Sequence, residues 1–139
     1  MRRILLLCPA LALTACSLMP LPKPDPSQAW IDLKTEKPDL LQAQQADRQT
    51  LEDDRYFQVQ PGSHDLQVRY QFKVDPANIG PSATPLVRTC LLNVHYKDFS
   101  AGERYRLQAE QAGFRAWAKL YDASQQEVAR GGESRCGDV

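Results

Sequence analysis

Alternation of apolar and polar side chains across residues 55–72 is the clearest pattern in the chain. Apolar side chains hold every second position of its second half: Leu66, Val68, Tyr70 and Phe72. Successive side chains of a strand point to opposite faces, so this spacing buries one face of a strand and leaves the other in solvent. The segment therefore predicts two short strands, joined at the Pro-Gly-Ser sequence of residues 61–63.

Similar alternation predicts further strands on both sides of this segment. They are residues 28–34, 86–99, 103–110, 114–121 and 127–130, followed by a tail of residues 131–139. Turn residues recur about every 8 to 12 positions, and no helical stripe of any length interrupts them. We therefore expect an all-β chain folded as one antiparallel β-sandwich of about seven to nine strands.

Residues 40–52 (LLQAQQADRQTLE) fit two interpretations. Leucine, alanine and glutamine favour a helix by intrinsic propensity. The apolar positions, however, form no stripe at i, i+3, i+4 and i+7, which a buried helix face requires. A hairpin that turns near Asp47 and Arg48 explains the pattern better.

Residues 1–15 have the pattern of a cleaved export signal, in which Arg2 and Arg3 precede a short apolar run. The following Leu-Thr-Ala-Cys resembles the lipobox of bacterial lipoproteins, where a peptidase cuts before the cysteine. That resemblance makes Cys16 the first mature residue and the site of lipid attachment, and it implies anchoring by more than one acyl chain. No aspartate follows Cys16 directly, which in lipoproteins implies the outer membrane, with the domain on its periplasmic face. An ordinary signal with a chance cysteine is the alternative.

Prolines at positions 20, 22, 24 and 26 predict that residues 16–27 form an extended tether. Residues 28–139 then form the single domain. The chain has 17 Lys+Arg and 17 Asp+Glu, and removing Arg2 and Arg3 leaves 15 basic residues. A slightly acidic domain gives no indication of a nucleic-acid partner, which would require a basic patch.

The four cysteines predict one disulfide. Cys8 belongs to the leader and Cys16 to the lipid, which leaves Cys90 and Cys136. In an oxidising compartment, two remaining cysteines are most simply paired. Two free thiols and a metal pair are the alternatives, but a zinc site would need four ligands, and no CxxC motif or nearby histidine supplies them.

Candidate catalytic and metal-binding residues are few. Ser63, His64 and Asp65 are adjacent, and strand neighbours face opposite ways, so they cannot form a relay among themselves. A metal held by His64 and His95, with Asp65 or Glu103, is conceivable, but such strand histidines are usually solvated. There is no G-x-S-x-G elbow and no glycine-rich phosphate loop. We expect a protein that is not an enzyme and has no cofactor.

Two other features have both a functional and a structural interpretation. Trp30 could mark a binding surface, although a tryptophan at the start of a strand more often covers the end of a core. Residues 52–54 (Glu-Asp-Asp) could bind calcium, but they lack the spacing of an EF-hand and favour a solvated turn. Residues 75–85 form the longest predicted loop.

Residues 39–72 resemble a segment of small proteobacterial outer-membrane lipoproteins, with the pattern Y-F-x-V-x-P-G-x-H-x-L-x-V-x-Y. In outline they are also similar to PEGA-type surface modules, in which P-G-x-H-x-L forms a hairpin corner. The resemblance implies an immunoglobulin-like or PEGA-like sandwich from about Trp30 onward. The usual Asp-Gly turn is replaced here by Asp47-Arg48.

Two functions are compatible with these features of the sequence. The first is a non-catalytic, lipid-anchored envelope module that offers edges and loops to a partner protein or to the cell wall. The second is a small-ligand or metal-binding lipoprotein with a cleft at one end of the sandwich. A concave site with converging polar or aromatic groups would favour the second function.

Overall fold

A computed structural model of the chain describes residues 19–75, 77, 80 and 86–139. The leader, Cys8, Cys16 and most of the predicted loop of residues 75–85 lie outside these residues. The described part of the chain contains no helix that is long and apolar enough to cross a membrane.

Nine strands account for most of the described residues. They are β1 (Ala29–Lys34), β2 (Leu40–Ala46), β3 (Gln49–Thr50), β4 (Tyr56–Val59), β5 (Gly62–Val74), β6 (Leu86–Phe99), β7 (Arg104–Ala112), β8 (Arg115–Tyr121) and β9 (Glu127–Cys136).

The strands form one sheet in the order β3-β2-β5-β6-β9-β8-β7-β1-β4. Neighbours are antiparallel except β1 and β7, which run parallel. The two ends of the sheet meet where the Ala43 amide of β2 donates to the Asp54 carbonyl ahead of β4, at 2.8 Å. The two halves of the sheet thus enclose one core, and the predicted all-β, sandwich-like fold is confirmed. The sheet is mixed rather than antiparallel throughout, as was expected, because β1 pairs with β7 in parallel.

The inner face of β5 follows the alternation seen in the sequence. Its buried side chains are each at most 1% exposed: Leu66, Val68, Tyr70, Phe72 and Val74. Full burial of such a side chain contributes about 1.5–3 kcal/mol to folding. Residues from seven of the nine strands join this cluster, so the core spans both halves of the sheet.

The two strands predicted within residues 55–72 are present as β4 and β5, but they do not pair with each other. β4 lies beside β1, whereas β5 lies between β2 and β6. Gly62, at φ 116°, turns the chain between the two halves of the sheet. The hairpin corner implied by the resemblance is therefore not formed, because β1 takes the pairing edge of β4.

The hairpin interpretation of residues 40–52 is confirmed by β2 and β3. Asp47 and Arg48 have φ values of 49° and 67°. Positive φ at both central residues defines the type I′ turn, whose twist matches that of the flanking strands. The Asp47 carboxylate accepts a hydrogen bond from the Asp65 amide of β5 at 2.9 Å, which holds the turn against the sheet.

The strand predicted near the C-terminus was shorter than the one observed. The last strand was expected to end at Arg130, but β9 continues to Cys136. Gly131 and Gly132 interrupt any apolar alternation, so the sequence carries no strand signal there. Backbone pairing to β6 and β8 forms the strand instead.

The predicted disulfide between Cys90 and Cys136 is present. The two residues are directly opposite in the β6–β9 ladder, with Cα atoms 4.0 Å apart and an S–S distance of 2.09 Å. It closes a separation of 46 residues and ties the end of the chain to β6.

Trp30 is buried, with 2% exposure, but it lies on the outer face of β1 rather than in the main core. Its ring stacks on Tyr56 with centroids 4.2 Å apart, and its indole N–H donates to Asp32 at 2.9 Å. A ring covered in this way cannot serve as an open binding surface.

The described part of the tether follows β4. The Arg55 guanidinium donates to the Met19 carbonyl at 2.5 Å, and the Asp25 amide donates to the Gln58 side chain at 2.9 Å. The prolines between these points are exposed. Residues 19–25 thus form no helix or strand, residues 26 and 27 form a turn, and the segment is fastened to the domain at two points.

Candidate functional site

The outer face of β8 and β9 carries an open groove of about 760 Å³, here called the β8–β9 groove. Gly131 and Gly132 of β9 form its floor. Ala112 and the core-facing Ala116 line it as well. Its sides carry an aromatic ring and several charged groups: Arg115, Trp117, Lys119, Arg130 and Glu133.

Strand alternation places these side chains outward. Ala116, Ala118 and Leu120 of β8 are at most 5% exposed and face the core. Trp117 and Lys119 lie between them and so point to the opposite face. The sequence of β8 thus builds the core and one wall of the groove at the same time.

The groove is open because Trp117 lies directly opposite Gly132 in the β8–β9 ladder. A cross-strand neighbour normally packs against an aromatic ring, and glycine has no side chain to do so. A Cβ atom added at Gly132 would meet nothing within 4 Å. At Gly131 an added Cβ would lie 1.6 Å from the Asn93 carbonyl oxygen, so that glycine is required by the approach of β6.

A hydrogen bond from its indole N–H fixes the Trp117 ring. Its indole N–H donates to one carboxylate oxygen of Glu110 at 3.2 Å. The Gln108 amide donates to the other oxygen at 3.0 Å. The ring is therefore held in place before any ligand arrives.

The groove is lined by three cationic side chains and by one anionic side chain, Glu133, which accepts a hydrogen bond from the Ala116 amide at 2.8 Å. Lys119 of β8 lies directly opposite Arg130 of β9, and like charges in such positions destabilise a sheet. Arg130 is partly compensated by Glu127 at 2.7 Å, and this hydrogen bond raises the pKa of Arg130 and lowers that of Glu127. Among the described residues, neither Lys119 nor Arg115 takes part in an ion pair.

A smaller cleft of about 220 Å³ lies on the other side of Trp117, at one end of the sandwich. Glu36, Asp39 and Glu110 make it acidic. The Tyr70 hydroxyl donates to Asp39 at 2.6 Å, and burial, followed by this hydrogen bond, raises the pKa of Tyr70. Asp39 and Glu110 are thus already bound to other groups of the protein.

A Ser-His-Asp array lies on the outer face of β5 and β6. Ser63 and Asp65 flank His95 from the neighbouring strand, with Ser63 Oγ 3.4 Å from His95 Nε2 and His95 Nδ1 2.7 Å from Asp65 Oδ1. Ser63, His64 and Asp65 form no relay among themselves. Pairing of β5 with β6 instead places His95, the second histidine, between Ser63 and Asp65. The His95 and Asp65 side chains are 58% and 70% exposed, so water competes with every contact of this array.

The conceivable metal site is not assembled. His64 lies 2.5 Å from Asp47 and 2.6 Å from the Gln60 carbonyl, whereas His95 contacts Asp65. In the part of the chain that the structure describes, the three-residue group with metal-ligand spacing is Cys90, Glu133 and Cys136, and its two sulfurs are joined in the disulfide.

Two of the acidic residues 52–54, Asp53 and Asp54, bind other protein groups rather than converging on one point. Asp53 forms an ion pair with Arg55 at 2.7 Å, and the hydrogen bond from that guanidinium holds the pKa of Asp53 below its ordinary value. Asp54 accepts a hydrogen bond from Gln42 at 2.9 Å. These contacts favour the solvated turn over a calcium site.

Comparison of the chain with protein-family models, curated proteins and solved structures finds no match. The β8–β9 groove therefore has to be interpreted from its own geometry.

Sequence reasoning did not single out the groove residues. Trp117 and Lys119 stand out only as polar or amphipathic members of an otherwise apolar strand, and Gly131-Gly132 as a break in another. A single sequence does not show that Trp117 and Gly132 are opposite each other, because that depends on strand register.

Proposed function

We propose that this protein is a non-catalytic, lipid-anchored binding module on the periplasmic face of the outer membrane. The observation that carries the proposal is the β8–β9 groove, in which a fixed indole ring and a net excess of cations lie open on a rigid sheet. Binding residues held by packed strands need no reorganisation when a ligand arrives.

Two features of the chain support the location. The Leu-Thr-Ala-Cys sequence ends at Cys16, which would carry the lipid and thus join the domain to the membrane. The disulfide between Cys90 and Cys136 is typical of an oxidising compartment such as the periplasm. The partner is then another envelope component, either a protein or the cell wall.

The anchor is tested by mass spectrometry of the full-length protein recovered from membranes. We expect the N-terminal peptide to begin at Cys16 and to carry acyl mass, and the Cys16→Ser variant to lose both the modification and the membrane fraction. An unmodified N-terminus at another residue would refute the anchor.

The binding role is tested by cross-linked capture from envelopes of cells that express the wild type or the Lys119→Glu variant. The matched control is Lys73→Glu, which makes the same charge change on the exposed part of β5. We expect the groove variant to lose the captured component and the control to retain it. Identical capture by all three proteins would exclude the groove as the interaction site.

The cleft at the end of the sandwich favours a second candidate, a lipoprotein that binds a small ligand. Tyr70, Asp39 and Trp117 converge there. Its volume of about 220 Å³ is below the roughly 300–1,000 Å³ of ordinary ligand pockets. Release of a small molecule on denaturation of the purified protein, absent from an Asp39→Ala variant, would support this candidate.

A further inference from the structure

We infer that the β8–β9 groove binds an anionic glycan, a chain of sugar rings that carry carboxylates. The inference rests on the proposed binding module and names the chemistry of its ligand. It requires a surface for an apolar sugar face, cations at a suitable spacing, and an open path for an extended chain.

The surface for a sugar ring is the indole of Trp117. A tryptophan combines a flat apolar face with a polar edge. Here the polar edge is already bound to Glu110, and Gly132 leaves space beside the ring. A sugar ring has a face of C–H groups that can lie on such an indole, while its hydroxyl groups remain in solvent.

The cations lie on both sides of that ring. Arg115 and Lys119 are each two residues from Trp117 along β8, which corresponds to about 6–7 Å along the strand. Arg130 stands opposite Lys119 on β9. A sugar on Trp117 would thus have cationic side chains before and after it, and carboxylates on adjacent rings would offset the repulsion between Lys119 and Arg130.

The pairing of the strands disfavours a peptide. Peptides commonly bind a sheet by adding a strand to a free edge. β8 is paired with β7 and β9, and β9 with β6 and β8, so the backbone groups beneath the groove are already used. Recognition in this groove depends on side chains alone.

The test uses full-length protein in detergent micelles and titrates it with oligogalacturonate, a glycan with one carboxylate on each ring. We expect saturable binding that weakens as the salt concentration rises. Binding should also change the tryptophan fluorescence, and this change should come from Trp117, since the other tryptophan of the chain, Trp30, is covered. Maltooligosaccharide of the same length, which is neutral, should bind at least about tenfold more weakly, because it lacks charge-assisted hydrogen bonds.

Two variants locate the site. Lys119→Glu should lower the affinity for oligogalacturonate about tenfold or more, whereas Lys73→Glu should leave it unchanged. Gly132→Leu should remove binding without lowering the melting temperature, since its Cβ would meet no protein atom within 4 Å and the rest of the side chain would extend into the groove. This second variant avoids the risk that truncation of Trp117 disturbs the fold.

Three results would overturn the inference. The first is equal binding of maltooligosaccharide, the second is equal or tighter binding of polyglutamate or oligothymidylate, and the third is full binding by Gly132→Leu. The titration does not depend on the anchor. A lipid-free mature protein would therefore refute the proposed location alone, and a failed titration of a protein acylated at Cys16 would refute this inference alone.

Discussion

The two adjacent glycines of β9 have opposite roles at the level of single residues. Gly131 faces β6 and has no room for a side chain, whereas Gly132 faces the open groove. One glycine allows the strands to approach, and the other leaves the β8–β9 groove open. Glycine content alone does not distinguish the two roles.

We expect Gly131→Ala to lower the free energy of unfolding by about 1–3 kcal/mol or more, because the new Cβ overlaps the Asn93 carbonyl. Gly132→Ala is the matched control and should change it by less than about 0.5 kcal/mol. Denaturant unfolding of both variants provides the measurement. Equal losses in the two variants would contradict the assigned roles.

The Ser63-His95-Asp65 array shows how a catalytic arrangement of residue types can lack catalytic surroundings. Catalysis by such a relay needs hydrogen-bond donors aimed at the developing oxyanion in a site that excludes water. Here the imidazole and the carboxylate are 58% and 70% exposed on a sheet face. We interpret the array as a surface hydrogen-bond network.

A fluorophosphonate probe should therefore leave Ser63 unlabelled, and ester hydrolysis should equal that of a Ser63→Ala variant. Intact-protein mass spectrometry measures the labelling. Labelling that disappears in a His95→Ala variant would show that the serine is activated and would replace our interpretation with an enzymatic one.

At the level of elements, the accuracy of prediction followed the strength of the hydrophobic pattern. β5 and β6 were predictable because one face of each strand is packed into the core, and this imposes a period of two. β9 was predicted only as far as Arg130, since pairing of its backbone, rather than burial of apolar side chains, continues it to Cys136. The groove was missed for the same reason, because it depends on which residue of β9 faces Trp117.

The β2–β3 turn carries a local conflict that can be tested. Arg48 has φ 67°, a conformation that glycine adopts with less strain than other residues. Replacing it with glycine gives the Asp-Gly pair that type I′ turns prefer.

We expect Arg48→Gly to raise the free energy of unfolding by about 0.5–1 kcal/mol. Gln49→Gly, one residue further and inside β3, should lower it instead, because glycine weakens a strand. Thermal unfolding of the two variants measures both changes in stability. A lower melting temperature for Arg48→Gly would mean that the Arg48 side chain stabilises the fold by more than the strain in its backbone destabilises it.

At the scale of the whole molecule, several carboxylates make stability depend on pH. The Arg104 guanidinium, which donates to Asp32 at 2.6 Å, holds the pKa of Asp32 below its ordinary value of 3.8. The hydrogen bond from His64 does the same for the pKa of Asp47. A carboxylate whose pKa is lower in the folded state stabilises the fold above its unfolded pKa, and the effect is lost as the pH falls through the folded value.

We expect the melting temperature to fall steadily as the pH drops below about 4. Asp32→Asn should melt lower than the wild type at pH 7, and the difference should narrow as the pH falls and Asp32 takes up a proton. The control is Asp98→Asn, since Asp98 takes part in none of the ion pairs among the described residues. A constant difference at all pH values would exclude the proposed electrostatic origin.

The position of β9 has a consequence for the order in which the protein can be made. The last strand of the chain is the fifth of nine in the sheet, and it joins the half that contains β5 and β6 to the half that contains β7 and β8. A growing chain cannot join these two halves through the sheet until β9 has been synthesised. The eight strands that precede β9 can therefore pair only as two separate groups, and the strand that comes last among the nine completes the sheet.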